Sequence, residues 1–307
     1  MTPPRIQAVG FSVDAGSGDF SALEASLRRV ADLSADVAEL SLYGYDVIAG
    51  GRIVEARARQ LEAICARVPL RYTVHGQIVS NFMDAAHLEP QKAVVRSMLE
   101  LCRRIGAGVL VHHGGKAVLG PRSRREALDR MEREALREMA DVAEACGVRI
   151  ALENIFGTED GEYRQTPAEI GETVRTVAHP SLIGLVDIGH AYIEGTRAGF
   201  DWREEVRAFS SVAGHVHLHD NFGRPYTQKH FHHVSEAAAL GIGDLHLPLG
   251  WGDIPFEAVA ADLDVLPGTT MILELPHRFD GERADSLAIA RRLAAIVNAR
   301  GTTKAAA

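Results

Sequence analysis

At 307 residues, with 46% hydrophobic and 24% charged side chains, the chain has the composition of an ordinary globular protein able to bury a sizeable core. A formal charge of −8 leaves no general basic surface for a polyanion, which disfavours nucleic acid as a partner. No stretch approaches ~18 unbroken apolar residues, and Met1–Val13 lacks the basic start, apolar run and cleavage site of a leader, so a cytoplasmic protein without membrane contact is expected.

Short apolar runs rich in β-branched residues alternate with longer stretches of helical period along the chain. Strands are predicted at 6–13, 37–43, 71–77, 108–114, 149–154, 183–190, 212–220 and 269–276. Helical spacing is clear from Pro90 to Ile105, where Val94, Met98, Leu101 and Ile105 recur and proline suits the first turn. It is clearest over 122–146, with Leu128, Met131, Ala135, Met139, Val142 and Cys146 three or four apart. Runs such as VLVHH and RIALEN imply strands buried on both faces, as in a parallel sheet covered by helices. Eight β/α units in roughly 300 residues predict an α/β fold, a closed (β/α)8 TIM barrel, ahead of an open doubly wound sheet. One domain is expected over 1–300, with 301–307 as a loose tail. The three cysteines, Cys65, Cys102 and Cys146, are far apart on apolar helix faces and read as structural thiols.

The connection from strand seven to strand eight is long, and its first half, 221–253, forms an insertion on the carboxyl face of the barrel, where long loops serve the site. Arg224, Lys229 and Trp251 are its candidate substrate contacts, and the whole is expected to act as a lid. Fourteen histidines are many for this length, and they cluster at strand ends. His75 ends strand three, and His112 and His113 end strand four, one of the two being turned inward. Glu153 ends strand five, Asp187 and His190 lie at the end of strand six, and His217, His219 and Asp220 end strand seven. Asp244 and His246 follow in the loop, and Glu274 ends strand eight. His215 is expected to face away from the pocket. Barrel strands converge at one face, so these residues share one pocket, and a divalent cation would relieve their desolvation and like-charge repulsion. Mixed nitrogen and oxygen donors suit zinc or manganese first, then iron or cobalt, and suit calcium poorly.

These residues resemble those of the xylose isomerase-like barrel superfamily, which includes sugar isomerases and epimerases, sugar-phosphate relatives and the endonuclease IV group of apurinic-site enzymes. The resemblance spans nearly the whole chain and is strongest from strand three to strand eight. In the epimerase-like branch it implies one metal held by Glu153, Asp187, His217 and Glu274. The two glutamates then also move protons on opposite faces of a substrate carbon, with His190 contacting substrate. In the endonuclease branch it implies added ligands, for up to three ions, from His75, His112, His190, Asp244 and His246. Two departures separate the chain from that second branch. Gly76, Gln77, Ile78 and Val79 follow His75 where an aromatic wedge is usual, and the segment from His217 to Asp244 is longer.

Three functions remain in view: a divalent-metal-dependent isomerase or epimerase of a sugar, sugar phosphate or related polyhydroxy compound; a multinuclear metal-dependent phosphoester hydrolase; and a non-catalytic binding protein or another metal-assisted reaction such as dehydration or retro-aldol cleavage. A small carbohydrate-like molecule is the expected partner, and a homo-oligomer is compatible with the composition.

Overall fold

All eight predicted strands form, each about as long as its apolar run or somewhat shorter. The computed structural model describes residues 3–13, 19–120 and 124–305. The strands are β1 (Ile6–Val13), β2 (Val37–Ser41), β3 (Arg71–His75), β4 (Val109–His113), β5 (Arg149–Glu153), β6 (Leu182–Asp187), β7 (Ala213–Leu218) and β8 (Thr269–Leu273). Each pairs in parallel with the next, and β1 pairs with β8 (Phe11 opposite Leu273), which closes the barrel. The sequence expectation of a TIM barrel is therefore met.

Helices cover the outside: α1 (Leu23–Asp32), α2 (Glu55–Arg67), α3 (Leu88–Ile105), α4 (Arg125–Cys146), α5 (Pro167–Val177), α6 (Ile188–Ala198) and α7 (Trp202–Ser210). After β7 come α8 (Val234–Leu240) and α9 (Phe256–Asp262), and α10 (Arg283–Ala305) closes the chain. Residues 122 and 123, the expected start of the fourth helix, lie outside the described residues. At the other end, α10 carries the backbone to Ala305 where a loose tail from Gly301 was expected, and residues 306–307 lie outside the described residues. Cys65 and Cys102 are buried and Cys146 partly so, each as a free thiol.

Strand alternation sorts the side chains into two cores. Val109, Val111, Ala151, Ile183 and Leu185 meet inside the barrel, and so do Ala8, Val37 and Ile272. Their neighbours Leu110, Ile150, Leu152 and Val186 point outward into the larger core shared with the helices. Continued to the strand ends, the inward set becomes Glu39, His75, His113, Glu153, Asp187, His217 and Glu274. The barrel interior thus passes from aliphatic to ionisable along its own axis.

The helix entries are set locally. Thr166 and Glu169 form a reciprocal capping box, and Pro167 takes the first turn of α5. Strand β6 stops at Asp187, three residues short of the predicted end, because the Asp187 side chain accepts the His190 backbone N–H and starts α6 there. Among the described residues, no helix is long and apolar enough to cross a membrane.

Phe209 of α7 is fully buried, and its ring occupies the space that a Cβ at Gly184 of β6 would need. Phe209→Ala is expected to cost about 3–5 kcal/mol in equilibrium urea unfolding, and a loss below about 1 kcal/mol would contradict this packing.

Candidate metal centre

The inward-facing strand ends build the site around Glu153, whose carboxylate is fully buried. Its Oε1 lies 3.2 Å from His190 Nδ1 and 3.4 Å from His217 Nδ1. Its Oε2 lies 3.6 Å from His75 Nε2 and 3.4 Å from His113 Nε2. The same His217 Nδ1 is 3.4 Å from Glu274 Oε2 and 3.8 Å from Asp187 Oδ2. Asp187 is held in place twice, since Asn154 both donates to its carbonyl and accepts its backbone N–H, each at 2.9 Å.

The long connection supplies the remaining wall. Asp220 pins it: its backbone bridges to Leu247, and its carboxylate accepts backbone N–H groups of Asn221, Gly250 and Ile254. That brings Asp244 and His246 over the barrel mouth. His246 Nε2 sits 2.8 Å from Asp244 Oδ2, and its Nδ1 is 3.0 Å from the Glu274 carbonyl. His246 has a left-handed backbone, with φ of 46°, which costs a non-glycine residue of order 1–3 kcal/mol and is held by these contacts. His190 Nε2 reaches Asp244 Oδ2 at 3.4 Å. His219 stacks on His246 at 4.1 Å and approaches Asp187 and Asp244 at 3.3 and 3.5 Å.

Among the described residues, the ion pairs of this centre join imidazoles to carboxylates. Burial would raise the Glu153 carboxyl, but the imidazoles of His217, His113 and His190 close to it hold it well below the carboxylate range. Burial would lower His217, yet Glu274, Glu39 and Glu153 outweigh it and hold the ring well above its usual value. Asp244 overcomes the burial of His246 and lifts it to about 9, whereas burial, with the neighbouring His75, His190 and His112 rings, outweighs Glu153 and carries His113 down to about 3.

Could this donor set hold metal? Glu153 Oε1 and Oε2, His217 Nδ1, His219 Nδ1 and Asp244 Oδ1 are all buried without a hydrogen-bond partner among the described residues. Orphaned buried donor atoms of this kind call for a partner that the protein does not supply. One atom from each residue lies within 4.8 Å of the others in several groups: His75, His113 and Glu153; Asp187, His217 and Glu274; Glu153, Asp187 and His190; and His190, His219, Asp244 and His246. The residues therefore fit a divalent ion at the centre, with room for flanking donors to take more. A cavity of about 300 Å³ opens above them, lined by Glu153, His190, Glu274, Tyr43, Phe156 and Lys116 among others.

Of the residues singled out in the sequence, the structure brings together Glu153, Asp187, His190, His217, Glu274, His75, Asp244 and His246. Four others lie elsewhere. His112 faces outward, packed 4.3 Å from the Phe82 ring, and burial lowers it to about 4; the inward member of the pair is His113, in step with Val109 and Val111. Arg224 donates to the Leu240 carbonyl, Lys229 pairs with Glu159 at 2.7 Å, and Trp251 is half exposed against Phe279. Those three are surface contacts of the loop, and none lines the cavity. What the loop does bring is Tyr226, stacked on Phe156, which in turn meets His190 edge-on. His215 also departs from expectation: residues two apart share a strand face, so it points inward with His217 and meets Glu39 at 2.9 Å. His113 and His219 were placed at their strand ends without a ligand role; Glu39 was missed, and the same period-two count would have found it.

The family model described as "Xylose isomerase-like TIM barrel" matches residues 27–295. No curated protein matches the chain. Among solved structures, a D-tagatose 3-epimerase-like protein superposes with a TM-score of 0.68 at 22% identity, covering 95% of this chain and 99% of that one. D-psicose 3-epimerase from Clostridium cellulolyticum H10 gives 0.67 at 18%, covering 94% and 99%. The 3-keto-D-glucoside 4-epimerase of E. coli gives 0.64 at 16%, covering 93% and 99%. At these identities the likeness is one of fold.

The loop that follows β4 yields a stability test. Gly115 donates its N–H to Glu132 of α4 at 2.6 Å, and the other Glu132 oxygen is buried without a partner. Burial pushes this carboxyl up to about 7. A carboxyl raised in the fold holds its proton more tightly there, so stability is full below the ordinary value of 4.5 and falls as pH rises towards about 7. Glu132→Gln keeps the acceptor for Gly115. It should leave urea stability unchanged near pH 4.5 and raise it near pH 8 by up to about 3 kcal/mol, and no gain at the higher pH would contradict the assignment.

Proposed function

Because the chain belongs to the xylose isomerase-like TIM-barrel family, we propose that it is a divalent-metal-dependent isomerase or epimerase of a sugar, sugar phosphate or related polyhydroxy compound. One observation carries the reading. The Glu153 and Glu274 carboxylates both line the cavity, and each lies 3.4 Å from the same atom, His217 Nδ1. Such a pair can flank one substrate carbon, one carboxylate taking its proton while the other returns a proton on the opposite face. Glu153, Asp187, His217 and Glu274 would hold the ion, with zinc or manganese the expected metals. When bound, a divalent ion there polarises the carbonyl and hydroxyl oxygens next to that carbon. His190, edge-on to Phe156 and open to the cavity, is placed to contact substrate hydroxyls. Phe156 and Tyr226 shield this end of the pocket from solvent.

A second reading rests on its own observation. Glu153 is met by imidazoles on both oxygens, and His190, His219, Asp244 and His246 form a further group beside it. A shared carboxylate between donor groups suits several ions and phosphoester hydrolysis. The acidic balance and the missing wedge after His75 favour a small phosphoester over DNA in that case.

The two chemistries leave different marks on substrate. In heavy water with manganese or zinc, an epimerase or isomerase places solvent deuterium at the carbon whose proton is exchanged, read by proton NMR across a panel of ketoses and their phosphates. Phosphate release from the same panel without any deuterium uptake would replace the first reading with the second. Glu153→Gln and Glu274→Gln are each expected to lower turnover by about 10²–10⁴-fold. Retention of near-normal turnover in either folded variant would remove that carboxylate from the chemistry.

A further inference from the structure

We propose that Glu39 is a positioning residue of the metal centre, fixing the His217 imidazole so that its Nδ1 faces Glu153, Asp187 and Glu274. The inference rests on the metal reading of that site. Glu39 sits in the middle of β2, points into the barrel and is fully buried. It does not line the cavity, so it has no access to substrate. Its ion-pair partners among the described residues are two imidazoles, with no lysine or arginine. Oε1 lies 3.0 Å from His217 Nε2, and Oε2 lies 2.9 Å from His215 Nε2. The Thr73 hydroxyl donates to Oε2 at 2.8 Å.

A carboxylate this deep costs several kcal/mol unless it is paired, and nothing in the proton transfer uses it. Its geometry assigns it another task. A carboxylate 3.0 Å from Nε2 favours the ring proton on that nitrogen, which leaves the lone pair of a neutral imidazole at Nδ1. In His217 that second nitrogen is the atom 3.4 Å from both Glu153 Oε1 and Glu274 Oε2, and 3.8 Å from Asp187 Oδ2. Glu39 therefore settles which nitrogen the centre receives, and Thr73 with His215 holds Glu39 still. Carboxylates behind ligating histidines typically contribute 10–100-fold to metal affinity.

The test uses the full chain with zinc. In Glu39→Gln, zinc affinity measured by chelator competition should fall roughly 10- to 100-fold. Spectra of the zinc-loaded protein labelled with ¹⁵N-histidine provide a readout that a packing role would not move. The unsubstituted chain should show His217 ligated through Nδ1 with a solvent-protected Nε2 proton, and that protected signal should be lost in the variant. Ligation through Nε2, or unchanged affinity in Glu39→Gln, overturns the inference while leaving the metal reading intact. If the unsubstituted chain takes up no zinc, both fall. Should Glu39→Gln fail to fold, Thr73→Val removes one bond to the same carboxylate without changing charge. A zinc affinity equal to that of the unsubstituted chain would then overturn the inference, and a loss of at least about threefold would support it.

Discussion

The structure turns on one buried carboxylate. Glu153 lies where five strands and the long connection converge, and among the described residues its ion-pair partners are four imidazoles around its two oxygens. A charge so placed is tolerable only if its neighbours compensate it, and imidazoles compensate partially because burial disfavours their own charged form. The protein meets this constraint with more donors, and those donors bring further carboxylates, Asp187, Asp244 and Glu274. The result is a network whose orphaned atoms a cation at its centre would satisfy together.

That demand explains features that would otherwise look unrelated. Asp187 serves both as the N-cap of α6 and as a wall of the site, so β6 ends where the chemistry needs an oxygen. Asp220 is spent on three backbone N–H groups and takes no part in the donor groups, because the loop it anchors delivers Asp244 and His246. The left-handed backbone of His246 is held by contacts to Asp244 and Glu274, and strain of this sort is commonly stored at functional sites. Further down the axis, Glu39 and Thr73 separate the ionisable mouth from the aliphatic interior.

Much of this was legible in the sequence because two short-range rules do most of the work. Apolar runs with β-branched residues located every barrel strand, and convergence of strand ends brought eight of the named residues together. The failures were of three physical kinds. His112 and His215 were misplaced by incomplete use of the two-residue period, which also hid Glu39. The β6 end was overrun because a capping aspartate, invisible to hydrophobic pattern, ended it. Arg224, Lys229 and Trp251 were misjudged because a loop's path depends on tertiary anchors. Asp220 and its partners turn these side chains outward and bring Tyr226 to Phe156 instead.

Every chemical role proposed for the mouth of the barrel depends on its being a metal centre. Diffraction data collected on either side of the zinc or manganese absorption edge, from crystals grown with that ion, test this most directly. An anomalous peak enclosed by Glu153, Asp187, His217 and Glu274 is the predicted result. A map with no peak among those four residues would contradict it.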